Sequence, residues 1–224
     1  MPIGRTIFIS LLLVFSLFFT GCNGEEKESI KTSKVLLKGT PNEDNYQLAQ
    51  KYFAEGENEK ALAAQLKQLE EDLKYYADDS LEIALTYNDI GLVYDELKEY
   101  EKAIEYYTKT IKIDEVRLGS NSTERSTTFF NIALSYDKLK EYDQAIEYYL
   151  KALKIDELLL GTNHEDVLAE YEGLAESYEH VSKVNLSLKY SKKALAFKEY
   201  NYGKEDLRTK EARAEVEAKE KKIK

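Results

Sequence analysis

The feature that most constrains this chain is an internal duplication. From Tyr87 it reads YNDIGLVYDELKEYEKAIEYYTKTIKIDEVRLG, and forty-two residues later, from Phe129, it reads FFNIALSYDKLKEYDQAIEYYLKALKIDELLLG. A block that returns at a fixed spacing of roughly 20 to 50 residues marks a stacked array, because one such unit cannot bury its own apolar face. The frame extends without a gap in both directions, giving units over 42–83, 84–125, 126–167 and 168–209. At one register position stand Leu48, Ile90, Ile132 and Leu174. Ala49, Gly91, Ala133 and Ala175 follow them, and Tyr52, Tyr94, Tyr136 and Tyr178 come three residues later. Spacings of one, three and four mark one face of an α-helix. A second helix in each unit carries Ala61, Ala103, Ala145 and Ser187, with Tyr106, Tyr148 and Tyr190 after the last three. The pattern predicts an all-α fold of four helix-turn-helix units, in which small residues let paired helices approach and tyrosines cover the gap beside them.

The ends depart from the pattern, as an array requires where its outer faces meet water. In the first unit Asn58, Gln65 and Gln68 replace residues that are Tyr100, Tyr107 and Thr110 in the second. Gly119, Gly161 and Gly203 are expected just past the second helices, where a left-handed backbone costs glycine little. The charged segment 210–224 reads as a solvating cap helix or tail. Both prolines precede Asn42, so nothing beyond that point forces a helix interior to break.

The first forty residues are of another kind. A short basic start with Arg5 precedes an apolar run from Ile7 to Phe19, then Thr20-Gly21-Cys22. Thirteen residues make a helix of about 20 Å, short of a ~30 Å hydrocarbon core, as in the apolar region of a signal peptide. A small residue immediately before the only cysteine resembles the lipobox of bacterial lipoproteins, departing from it at Phe19, where leucine is usual. The resemblance implies removal of residues 1–21 and diacylglyceryl modification of Cys22, with further acylation such as palmitate; residues 22–41 then form a polar tether. The expected location is the bacterial cell envelope, lipid-anchored, with the leaflet left open.

The duplicated blocks resemble the tetratricopeptide repeat family from about Asn42 to Thr209. The long period, and the connection Leu160-Gly161-Thr162-Asn163-His164-Glu165-Asp166-Val167, are similar to the kinesin-light-chain type. The resemblance implies an α-α superhelix with a concave groove lined by first helices. Carried onto this chain, that lining is Glu43, Tyr46, Gln47, Gln50 and Phe53, then Leu85, Asn88, Asp89, Leu92 and Asp95. It continues with Thr127, Phe130, Asn131, Leu134 and Asp137, and ends with Ala169, Glu172, Gly173, Glu176 and Glu179. Asn131 falls where light-chain-type repeats hold a peptide backbone with an asparagine amide, and Asn88, Asp89, Leu92, Phe130 and Leu134 complete the expected partner-binding set. Seven acids and no base stand on this lining, which predicts a protein or peptide partner carrying basic and apolar side chains.

A formal charge of -10 argues against nucleic acid. His164 and His180 have no second ligand at metal spacing, and the serines lack a histidine base. No glycine-rich phosphate loop occurs. The sequence therefore predicts no catalysis, metal or cofactor. It predicts a membrane-anchored interaction scaffold, with an envelope-assembly factor docking through its outer faces as the alternative. The open ends of an array also admit pairing between two copies.

Overall fold

The computed structural model describes Leu37 and residues 39–119 and 121–223. Met1–Leu36, and with them the expected signal peptide, the Cys22 lipidation site and most of the tether, lie outside the described residues. Among the described residues the secondary structure is helical: α1 (Asp44–Ala54), α2 (Asn58–Tyr75), α3 (Leu81–Glu96), α4 (Tyr100–Arg117), α5 (Thr123–Lys138), α6 (Tyr142–Leu159), α7 (Glu165–His180), α8 (Val184–Asn201) and α9 (Leu207–Ile223). None of these helices is long and apolar enough to cross a membrane. Neighbours in sequence pack as neighbours in space, so the array is a solenoid of helix pairs.

Three local devices recur at the repeat period and set the helix boundaries. Each odd helix from α3 to α7 opens on a side-chain cap: Ser80 and Ser122 accept from the amides of Ile83 and Arg125, and His164 Nδ1 accepts from Asp166 N at 3.3 Å. His164 is thus a cap in a serine's place. These helices open three residues ahead of the unit starts assigned from the apolar pattern, because caps precede the first buried turn. Second, the turn inside each pair places Gly56, Lys98, Lys140 and Ser182 at φ of 74°, 62°, 62° and 58°. The amide after each bonds back five residues, as Glu99 N does to Tyr94 O at 2.9 Å, which closes the helix end. Third, Gly119, Gly161 and Gly203 adopt φ of 80°, 79° and 86° immediately after the caps of α4, α6 and α8.

The core lies where the pairs meet. Ile90, Ile132 and Leu174 are fully buried, with Ala61, Ala103, Ala145 and Ser187 opposite. Tyrosines stack inside three of the helix pairs: Tyr94 on Tyr106, Tyr136 on Tyr148 and Tyr178 on Tyr190, with ring centroids 5.4, 5.6 and 5.7 Å apart. Leu48 holds the same register as Ile90 yet is 40% exposed, because no described unit precedes α1 to cover it.

The C-terminal cap begins at Leu207 rather than 210 and is more than a solvating tail. It starts forty-two residues after α7 and is the first helix of a fifth unit, with Thr209, Ala212, Val216 and Lys219 buried. Glu217 and Glu220 occupy the positions where α7 has Ala175 and Tyr178, so α9 lacks there the small and aromatic residues on which the other first helices pack a second helix.

Candidate functional site

The expected groove residues lie on α1, α3, α5 and α7, and their side chains fall into three groups. The first is apolar and open. Leu85 is 60% exposed, Leu134 is 37% exposed, and Leu92 and Phe130 are half-buried, Phe130 edge-on to Tyr149 at 5.6 Å. The second is made of amides, with Gln47 and Gln50 exposed on α1 and Asn131 at the middle of the face. Asn131, half-buried between Phe130 and Leu134 in register, makes no side-chain hydrogen bond among the described residues. Asn88, expected beside it, is instead buried, and its Oδ1 is enclosed without a donor. It shares the register of Phe130, whose larger side chain stays half-buried, whereas the shorter Asn88 is closed off from the open face.

The third group is acidic, and most of it is engaged internally. Ser135 donates to Asp95 at 2.7 Å and Ser177 donates to Asp137 at 3.0 Å. Lys219 completes the series on Glu179 at 3.1 Å. Each link spans forty residues and ties the end of one first helix to the next, forming rungs along the lining. Tyr107 also donates to Asp95 at 2.7 Å, and burial raises the Asp95 carboxyl above its ordinary range. Glu172 pairs with Lys198 at 2.6 Å, and Glu179 is held below its usual range by Lys219 and Lys222. Asp89 receives a long 3.5 Å contact from Gln65, and its burial pushes the carboxyl up to about 6. The acidic lining counted in the sequence is therefore largely part of the stack's own bonding. What remains open at the middle of the face is apolar, with one amide in it.

Sequence reasoning missed the rungs because each needs two residues from different units. The signal was present: Asp95, Asp137 and Glu179 recur in step with Ser135, Ser177 and Lys219. His180 lies flat on Tyr142, with centroids 4.1 Å apart. Among the described residues no group of three or more His, Cys, Asp or Glu is placed to hold a metal ion.

The tetratricopeptide repeat model matches residues 44–115 and 124–200. Among solved structures, BtubC (BKLC) from P. vanneervenii is 19% identical over 81% of this chain and 80% of its own, with a TM-score of 0.65. A protein of Podosopora anserina with nearly identical TPR-like, kinesin-light-chain repeats is 16% identical over 78% of this chain and 83% of its own, with a TM-score of 0.69. A Rap protein complexed with competence and sporulation factor is 20% identical over 70% of this chain and 42% of its own, with a TM-score of 0.55. At these identities the likeness is one of fold. No curated protein sequence matches the chain significantly.

Proposed function

The chain belongs to the tetratricopeptide repeat family, and from that premise we propose that it is a non-catalytic scaffold, held at a bacterial envelope membrane by a lipid on Cys22, that binds a protein partner along its first helices. The observation that carries the binding reading is the unengaged carboxamide of Asn131, on the same run of first helices as the exposed Leu85 and Leu134 and the half-buried Leu92 and Phe130. An amide in an apolar setting can pair with a partner's backbone while the leucines take its side chains, and few other donors compete there. Because the rungs and ion pairs occupy most of the acids, apolar side chains carry more of the recognition than basic ones. The solved Rap complex is a relative in fold that holds a bound factor, which favours this use of the architecture.

Affinity capture from envelope membranes supplies the partner, and titration with Asn131→Ala tests the site. A loss of at least tenfold in affinity at unchanged helicity is expected; equal affinity refutes the assignment. Labelling with a radioactive fatty acid in wild type and Cys22→Ala tests the anchor, and label retained in the variant refutes it.

A second reading rests on the second helices. Val116, Leu158 and Tyr200 recur at the repeat period and are 73%, 66% and 75% exposed. This apolar ridge suits an assembly factor that docks by its outer face. Partner binding abolished by Leu158→Asp and untouched by Asn131→Ala favours that reading.

A further inference from the structure

We propose that the cavity between α4, α5 and α6 binds a small amphiphile, a monocarboxylate on an aliphatic body. The cavity measures about 510 Å³, and its lining carries three cations, Arg125, Lys151 and Lys154, and no acid, in a chain whose formal charge is -10. Phe129, Ile155 and Leu158 supply apolar walls. Pockets that combine a mostly apolar lining with a few placed charges take ligands of the same mixed character.

Arg125 is the informative residue. At its register the other units carry Ile83, Val167 and Thr209, all fully buried, so a guanidinium stands where the array elsewhere puts a core side chain. Its side chain is 12% exposed, and its Nε is enclosed with no acceptor. The remaining contacts are weak: Nη2 lies 3.5 Å from Glu115, Nη1 lies 3.4 Å from Gly119 O, and the cation rests 5.2 Å over the Phe129 ring. A buried charge without well-placed acceptors is costly, and an incoming carboxylate relieves that cost with the two-pronged geometry arginine prefers. Lys151 is already tied to Glu147 at 2.6 Å and lies 4.2 Å over Tyr148. Lys154 has no ion pair among the described residues and is available as a second donor.

The neighbourhood also limits the ligand's charge. Glu115 and the buried Asp114, whose carboxyl burial pushes up to about 6, face Arg125 from α4, with Glu124 beside it on α5. They offset part of its charge, so a monoanion fits better than a dianion such as phosphate. On α5, Arg125, Phe129 and Ile132 lie roughly opposite Thr127 and Leu134 at 3.6 residues per turn. The cavity therefore opens on the second-helix side and is independent of the proposed groove.

Calorimetric titration of the full chain with octanoate, octanol and octyl phosphate tests the proposal. Saturable one-to-one binding of octanoate is expected, with octanol and octyl phosphate each at least tenfold weaker. Arg125→Val, which installs the residue found at 167, is expected to lower octanoate affinity at least tenfold while leaving the melting temperature unchanged or higher. Lys154→Ala, at an exposed position, is expected to weaken it about threefold. Absence of saturable octanoate binding, equal affinity for octanol or octyl phosphate, or unchanged octanoate affinity in Arg125→Val overturns the assignment.

Discussion

Gly91→Ala is a substitution for which register and geometry make opposite predictions. Units one, three and four carry Ala49, Ala133 and Ala175 at this position, and alanine favours a helix interior over glycine by about 0.5–1 kcal/mol. On register alone the change should stabilise. The geometry reverses the sign: a Cβ on Gly91 would lie 2.6 Å from Cε1 and 2.7 Å from Cδ1 of Tyr107. That ring is fully buried, and its hydroxyl is fixed by the 2.7 Å bond to Asp95, so it has no free direction in which to yield. Overpacking of this kind costs about 1–3 kcal/mol, and loosening a hydrogen bond to a carboxylate adds about 1.5–3 kcal/mol if the hydroxyl is displaced. The net expectation is a destabilisation of about 1–3 kcal/mol. Urea unfolding followed by far-ultraviolet circular dichroism measures it, and Tyr107→Leu in the same background should recover at least about 1 kcal/mol by removing the ring the methyl meets. A midpoint equal to or above wild type in Gly91→Ala refutes the argument. So does strict additivity of the two changes.

Two further perturbations follow from the repeat geometry. In the turns, Lys98→Gly should stabilise by a few tenths to about 1 kcal/mol, because the left-handed backbone costs a side chain about 1–2 kcal/mol while glycine loses about 0.5–1 kcal/mol in entropy; Gly56→Ala should destabilise, and thermal melts check both. Asp114 gives a pH dependence: its carboxyl is raised to about 6 when folded against about 3.9 unfolded, so the native state holds the extra proton in that window. Its contribution is therefore most favourable below about pH 4 and is lost as pH rises through about 6, by up to about 3 kcal/mol; Asp114→Asn should flatten that part of the stability profile, and an unaltered slope refutes the assignment.

Much of the fold was legible because its signals are periodic. Ala61, Ala103 and Ala145 against Ile90, Ile132 and Leu174 give helix faces without reference to coordinates. The boundaries were less legible because caps such as Ser122 and turn residues such as Lys140 carry no apolar signal. α9 looked like a tail for the same reason: Glu217 and Glu220 remove the pattern that would have named it. Of the proposed site, Leu92 and Phe130 are half-buried, Leu134 is exposed, and Asn131 carries no side-chain hydrogen bond among the described residues. Asn88 is buried where Phe130, in the same register, is half-buried, and register alone does not carry that difference in side-chain size. The acids Asp95 and Asp137 could not be sorted into partner-facing or structural by type, because that depends on whether a serine stands forty residues on.

The same distinction separates stacking from recognition. Residues that repeat in step, the alanines, the three tyrosine pairs and the two Asp-to-Ser rungs, hold the stack together, and each has its bonding satisfied inside the array. Recognition then depends on positions where one unit departs from the others without an internal partner to explain the departure. Asn131 departs from Asp89 and Gly173, and Arg125 departs from Ile83 and Val167. Gly173 departs too, but Tyr149 explains it: a Cβ there would lie 2.5 Å from Cζ of that ring, so the glycine makes room for a neighbour. Tyr107 and Tyr149 hold equivalent positions, yet one packs on the glycine of its own unit and the other on that of the next. Ala133 occupies the first option for Tyr149, and Asn131 occupies the second for Tyr107. By this reasoning Gly173→Ala should lower stability, through Tyr149, whereas Asn131→Ala and Arg125→Val should change ligand binding and leave stability nearly unaltered.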